Sequence, residues 1–142
     1  MAQTTIHVRT IDGASAAVGW SGPRTVVIDR PESSGGLGIG FSGGELLFLA
    51  LGACYTNDLY REAAKKNMVL RSVRVDVTGE WGGEPVRAQN VSFSVRIEGE
   101  ASEEALLELI RHTDDVAEIH NSLRIGTKVV LGSTDAISVD KT

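Results

Sequence analysis

The chain has 142 residues and a mass of 15.1 kDa, a length that predicts one domain able to bury about two-thirds of its unfolded surface. Hydrophobic residues at 42% and charged residues at 23% are ordinary for a globular protein, and a formal net charge of −5 argues against a nucleic-acid binder built on a broad basic face. The single cysteine, Cys54, rules out an intrachain disulfide and a cysteine-based zinc cage. It leaves one question open: reactive thiol or core filling.

No segment reads as a targeting or membrane signal. Met1 to Thr10 is polar and lacks an apolar signal-peptide centre. The longest apolar run, Leu46 to Cys54, has nine residues, far short of the ~20 that span a bilayer. One free thiol and no export signal set the expectation of a reducing cytoplasm.

Thr4 to Thr10 alternates as a strand around Ile6 and Val8. Asp12-Gly13 is a turn, Ala16 to Trp20 a second strand, Ser21-Gly22-Pro23 another turn, and Thr25 to Asp29 a third strand. These predict an antiparallel meander. Pro31 to Gly44 is a loop holding Gly35, Gly36, Gly38, Gly40, Gly43 and Gly44. Ordering so many glycines is entropically costly, so this loop is either mobile or held by something.

Glu45 to about Asn67 is the main predicted helix, opened by the Ser-x-x-Glu spacing of a capping box at Ser42 and Glu45. From Leu46 to Cys54 it is apolar on every face and is expected to be buried all round. From Asn57 to Lys66 it turns amphipathic, with Asp58, Arg61, Glu62, Lys65 and Lys66 expected on the exposed face. Leu70 to Glu80 and Val91 to Ile97 alternate as a long hairpin across the Gly82-Gly83-Glu84-Pro85 turn. Ser102 is the expected N-cap of a second helix through Ile110, and Thr113 that of a third carrying Ile119, His120 and Leu123. Val129 to Leu131 and Ile137 to Val139 read as final strands. The order is that of an α+β fold.

Gly38, Gly40 and Gly43 match G-x-G-x-x-G, but a long loop precedes them and an antiparallel hairpin follows the helix, unlike a dinucleotide-binding βαβ unit. His112 and His120 flank Asp114 and Asp115 without the i, i+4 spacing of helical metal ligands, so a solvated, acidic helix junction is the plainer reading. No cofactor and no metal are expected. Glu45 and Cys54 are nine residues apart, about 13.5 Å of helical rise and on opposite faces. They can cooperate only through another segment or subunit. Mid-helix burial would raise the Cys54 pKa. A cation to lower it would have to come through the fold, with Arg9, Arg24, Arg30 and Arg124 as candidates.

Glu45-Leu-Leu-Phe-Leu-Ala-Leu-Gly-Ala-Cys54 resembles the central-helix signature of the OsmC/Ohr family, broadly Glu-Leu-Leu-x-Ala-x-Leu-Gly-x-Cys. Arg61 to Asn67, the hairpin and the helix from Ser102 look like the family's following elements. Asn121-Ser-Leu-Arg-Ile-Gly126 resembles its Ser-x-x-Leu-Arg-x-Gly stretch. The resemblance implies an OsmC-like fold in which antiparallel sheets surround a long buried central helix, in an intertwined homodimer. It also implies thiol-dependent reduction of small organic hydroperoxides in the oxidative stress response. Cys54 matches the peroxide-attacking cysteine, and Glu45 the glutamate before it.

Two departures matter. Ala117 stands nearest the position of the family's second, resolving cysteine, so an external thiol reductant is needed. The turn between the first two strands, Ile11 to Ser15, carries no arginine. The alternative expectation is a non-enzymatic member that binds a small apolar or acyl ligand at the dimer interface. Neither reading involves nucleic acid or a membrane.

Overall fold

A computed structural model describes residues 1–141. It has two antiparallel sheets and three α-helices. The meander is β1 (His7–Thr10), β2 (Ala17–Ser21) and β3 (Arg24–Ile28), in that order across the sheet. The first strand starts three residues later than its alternation predicts. A two-residue loop joins β2 to β3, and Gly22 takes the positive φ (56°) that this tight connection requires.

The glycine-rich loop is held. Asp29, just past β3, is buried and accepts hydrogen bonds from the backbone N–H groups of Arg30 (2.7 Å), Leu37 (2.9 Å) and Ile39 (3.2 Å). Burial works to raise its pKa, but these amides and the Ser15 hydroxyl outweigh it and hold the carboxyl below its ordinary value. A short parallel bridge between Ile28 and Phe41 then carries the chain to the main helix.

That helix, α1 (Gly43–Lys65), begins with the expected capping box. The Ser42 hydroxyl accepts from the Glu45 amide, and the Glu45 carboxylate accepts from the Ser42 amide. α1 lies on a hairpin of β4 (Leu70–Gly82) and β5 (Arg87–Gly99). Val73, Val75 and Val77 pair with Ile97, Val95 and Phe93, so the alternating apolar residues share the covered face. Gly44 and Gly79 permit the close fit. A Cβ on Gly44 would stand 2.6 Å from the Trp81 ring, and one on Gly79 2.7 Å from that of Phe48; the two rings themselves stack at 5.5 Å.

α2 (Glu103–Val116) and α3 (Glu118–Ile125) close the core. Tyr55, Leu59, Ala63, Leu109 and Ala117 are buried together against the hairpin. Each large apolar side chain there gains about 2 kcal/mol on leaving water, and the Tyr55 hydroxyl donates to the Ile110 carbonyl at 2.7 Å.

Four sequence expectations change. Thr113 is no cap: it is fully buried inside α2, with its hydroxyl bonded to the Leu109 carbonyl, and the break falls at Ala117, where ψ reaches 135°. Asp58 and Glu62 are buried rather than exposed. The apolar half of α1 is not covered in the single chain, where Leu49 is 50% exposed and Ala50 and Ala53 are exposed too. Residues 127–141 form no strand. A strand needs an edge to pair with, and here Val129, Leu131, Ile137 and Val139 face solvent. Among the described residues no helix is long and apolar enough to cross a membrane.

Glu62 locks α1 to α2. Its carboxylate meets Lys65 Nζ (2.8 Å), Arg61 Nε (2.9 Å) and His112 Nε2 (3.0 Å). Hydrogen bonds from Lys65, Arg61 and His112 push its pKa down to about 2, from an ordinary 4.5. The folded value lies below the unfolded one, so the stabilisation is complete above about pH 4.5 and is lost as pH falls through that window towards 2. Thermal melts of the wild type and Glu62→Gln should show the wild type more stable at neutral pH, with the gap closing across this window. A gap that stays constant with pH would contradict the assignment.

Candidate functional site

Cys54 lies in the middle of α1 and is half-buried. Leu47, Leu51, Cys54, Asp58 and Arg61 recur at helical spacing and share one face. α3 begins against this face. The Cys54 thiol donates to Glu118 Oε2 at 3.5 Å and lies 3.8 Å from Asp58 Oδ2. Backbone amides of Glu118 and Ile119, in the first turn of α3, also act on the sulfur and favour its charged form. The helix N-terminus that serves Cys54 is therefore not that of its own helix.

Both carboxylates reach onward to one guanidinium. Arg61 Nη1 is 2.8 Å from Asp58 Oδ1 and 3.5 Å from Glu118 Oε1. Thiol and guanidinium thus occupy opposite corners of a ring closed by two carboxylates. The cation tied to the site is Arg61, none of the four arginines considered from sequence. Arg124 instead pairs with Asp114 at 2.8 Å.

Burial is the largest influence on the thiol and raises its pKa; the Asp58 charge and the Glu118 carboxylate raise it further. The amides of Ile119 and Glu118 pull the other way and are outweighed. The balance leaves the Cys54 pKa above its ordinary value. The sulfur and the Asp58 and Glu118 oxygens lie within 4.8 Å of one another, close enough to hold a metal ion. Arg61 already pairs with both carboxylates, and a metal ion would have to compete with that guanidinium, which makes a poor donor set for one.

Beyond Leu51, the same face of α1 borders a cavity of about 310 Å³. Leu47, Leu51, Val91, Phe93 and Leu123 supply its apolar walls, and Gln89, Asn90, His120 and Arg124 its polar ones. His120 is buried rather than solvated. Its Nε2 bonds the Asp114 carbonyl at 2.6 Å, and its Nδ1 has no partner among the described residues. A second, more apolar groove of about 530 Å³ runs between the meander and α1, lined by Ile6, Val8, Trp20, Val26, Leu46 and Ala50.

Glu45 caps the start of α1, two and a half turns from Cys54 along a continuous helix. The Ser42 amide and hydroxyl hold its carboxyl below the ordinary value. The structure does not bring it to the thiol within one chain. Ala117 is fully buried, one residue before the Glu118 that touches Cys54. Asp58 and Arg61 carried a signal in their four- and seven-residue spacing from Cys54. Glu118, 64 residues away, carried none.

This arrangement of sheets, central helix and helical closure defines an OsmC-like fold. The OsmC-like protein family model matches residues 34–132, and the chain belongs to that family. The OsmC-like protein of Mycoplasma pneumoniae superposes with a TM-score of 0.76 at 21% identity, over 89% of each chain. A Legionella pneumophila protein described as an organic hydroperoxide resistance protein OsmC gives 0.64 at 14% identity, over 87% of this chain and 90% of that one. The organic hydroperoxide resistance protein OhrB of Bacillus subtilis gives 0.60 at 16%, over 88% and 92%. No curated protein sequence matches.

The pH dependence of iodoacetamide alkylation measures the balance at Cys54. Its midpoint should lie above the free-thiol value of ~8.5, and Glu118→Gln should lower it by removing a raising influence. A wild-type midpoint at or below the free-thiol value would overturn this electrostatic account.

Proposed function

We propose that the protein is a one-cysteine thiol peroxidase that reduces small organic hydroperoxides in the oxidative stress response. Cys54 attacks the peroxide oxygen and becomes a sulfenic acid, the O–O bond breaks, and the thiol proton leaves with the departing alcohol. One observation carries this reading. The half-buried Cys54 sulfur stands against Glu118 at the start of α3, whose first-turn amides favour its charged form, on the helix face that continues into a cavity with apolar and polar walls. Those amides favour the charged sulfur as it forms. Family membership and the hydroperoxide-resistance relatives support the same reading. With no second cysteine in the chain, an external thiol returns the sulfenate to the thiol. A reducing cytoplasm suits such a cycle.

The working unit in this proposal is an intertwined homodimer. It covers the exposed Leu49, Ala50 and Ala53 of α1 and the apolar groove beside the meander. Glu45 belongs to the catalytic site only in this setting, acting across the subunit boundary. Light scattering should report twice the chain mass, and Leu49→Glu should shift it to the monomer. A monomeric wild type would remove both the dimer and the role of Glu45.

The raised thiol pKa favours a second reading, in which the protein binds a small apolar or acyl ligand without chemistry. Stopped-flow oxidation by cumene hydroperoxide separates the two. The wild type should gain one oxygen atom on Cys54, at least about tenfold faster than any oxidation of Cys54→Ser. Equal, slow rates would leave the binding reading, which native mass spectrometry against a panel of fatty acids then tests.

A further inference from the structure

We infer that Cys54 is selective for charge in its thiol partner: it exchanges with neutral or cationic thiols and disfavours those that carry a carboxylate. This deepens the reading of Cys54 as a reacting thiol and rests on it. The chain has one cysteine, so every thiol that meets the oxidised sulfur arrives from outside. It must approach within bonding distance of a sulfur flanked by two carboxylates, Glu118 at 3.5 Å and Asp58 at 3.8 Å.

The two flanking acids differ in position. Asp58 is buried on the inner side, while the Glu118 side chain is 68% exposed and stands on the solvent side. The single guanidinium nearby is divided among Asp58, Glu62 and Glu118, and Lys65 is committed to Glu62. Among the described residues no cation is hydrogen-bonded to the sulfur, whose side-chain partners are Glu118 and Asp58. Among the described residues the amides of Glu118 and Ile119 favour negative charge on the sulfur itself, while the carboxylates of Glu118 and Asp58 are the full charges that an incoming group meets. Where α2 meets α3, Asp114 is paired with Arg124.

In the proposed cycle the sulfenate condenses with the incoming thiol, giving a mixed disulfide and water. A second thiol then attacks that disulfide, releasing the external disulfide and restoring the Cys54 thiol. Both steps bring a foreign sulfur beside Glu118.

The selectivity is measured on the reduced wild-type protein with two disulfide probes of opposite charge, cystamine (cationic) and 3,3′-dithiodipropionate (anionic). In each reaction the Cys54 thiolate displaces one thiolate of the probe to form a mixed disulfide, followed by mass. Each rate is divided by that of the same probe with a small neutral thiol. At low ionic strength cystamine should be favoured about tenfold. Glu118→Gln should cut the preference about threefold, Glu118→Lys should reverse it, and high salt should compress it. Equal normalised rates in the wild type, a preference untouched by Glu118→Gln, or no reaction with either probe would overturn the inference. The probes contain no peroxide. A protein that ignores cumene hydroperoxide yet shows the preference keeps this selectivity and loses the peroxidase reading.

Discussion

The guanidinium of Arg61 is the contact on which the rest of the site depends. It pairs with two acids of its own helix, Asp58 and Glu62, both buried, and with Glu118 on α3. Buried carboxylates without a counter-charge are strongly destabilising. Arg61 and Lys65 together make this acid pair tolerable, and the pair in turn fixes the helices. Glu62 reaches His112 on α2, and Glu118 brings the start of α3 to α1. The amides facing Cys54 are where they are because this network sets where α3 begins.

What could be read from sequence was what is local. Both halves of the capping box lie within four residues, and the β4–β5 hairpin shows its covered face by alternation alone. The register of Cys54 in the helix was equally plain. The glycine-rich loop presented a choice between mobility and restraint that the sequence left open. The restraint, Asp29, works through amides one, eight and ten residues ahead, which is no periodic pattern.

The readings that changed depend on distant partners. Asp58 and Glu62 look like a solvated face because charged residues usually are one. Their burial follows from His112 and Glu118, 50 and 64 residues further along than Glu62 and Cys54 respectively. Thr113 has the chemistry of an N-cap, but its hydroxyl finds the Leu109 carbonyl inside α2 and the chain stays helical past it. The apolar residues after position 128 alternate with polar ones only in part, and within one chain they find no strand to pair with.

One face of α1 thus carries opposed environments, with Cys54 at the boundary. Towards the N-terminus lie Leu47, Leu51 and the apolar cavity; towards the C-terminus lie Asp58, Arg61 and the carboxylate ring. In the proposed function the cavity, walled by Leu47, Leu51, Val91, Phe93 and Leu123 on its apolar side, is where an uncharged organic molecule would enter. Burial, and after it the acidic side, raises the thiol pKa, and in the proposed function this protects a lone thiol from indiscriminate oxidation, since it is the thiolate that reacts. Reaction then requires the balance to tilt as charge develops on the sulfur. The first-turn amides of α3 are fixed in place to do that, because their orientation is already maintained by Glu118 and Arg61. In the proposed reaction Glu118 therefore acts in two opposing ways: its carboxylate raises the pKa of the resting thiol, and its backbone amide favours the anion that forms as the thiol reacts.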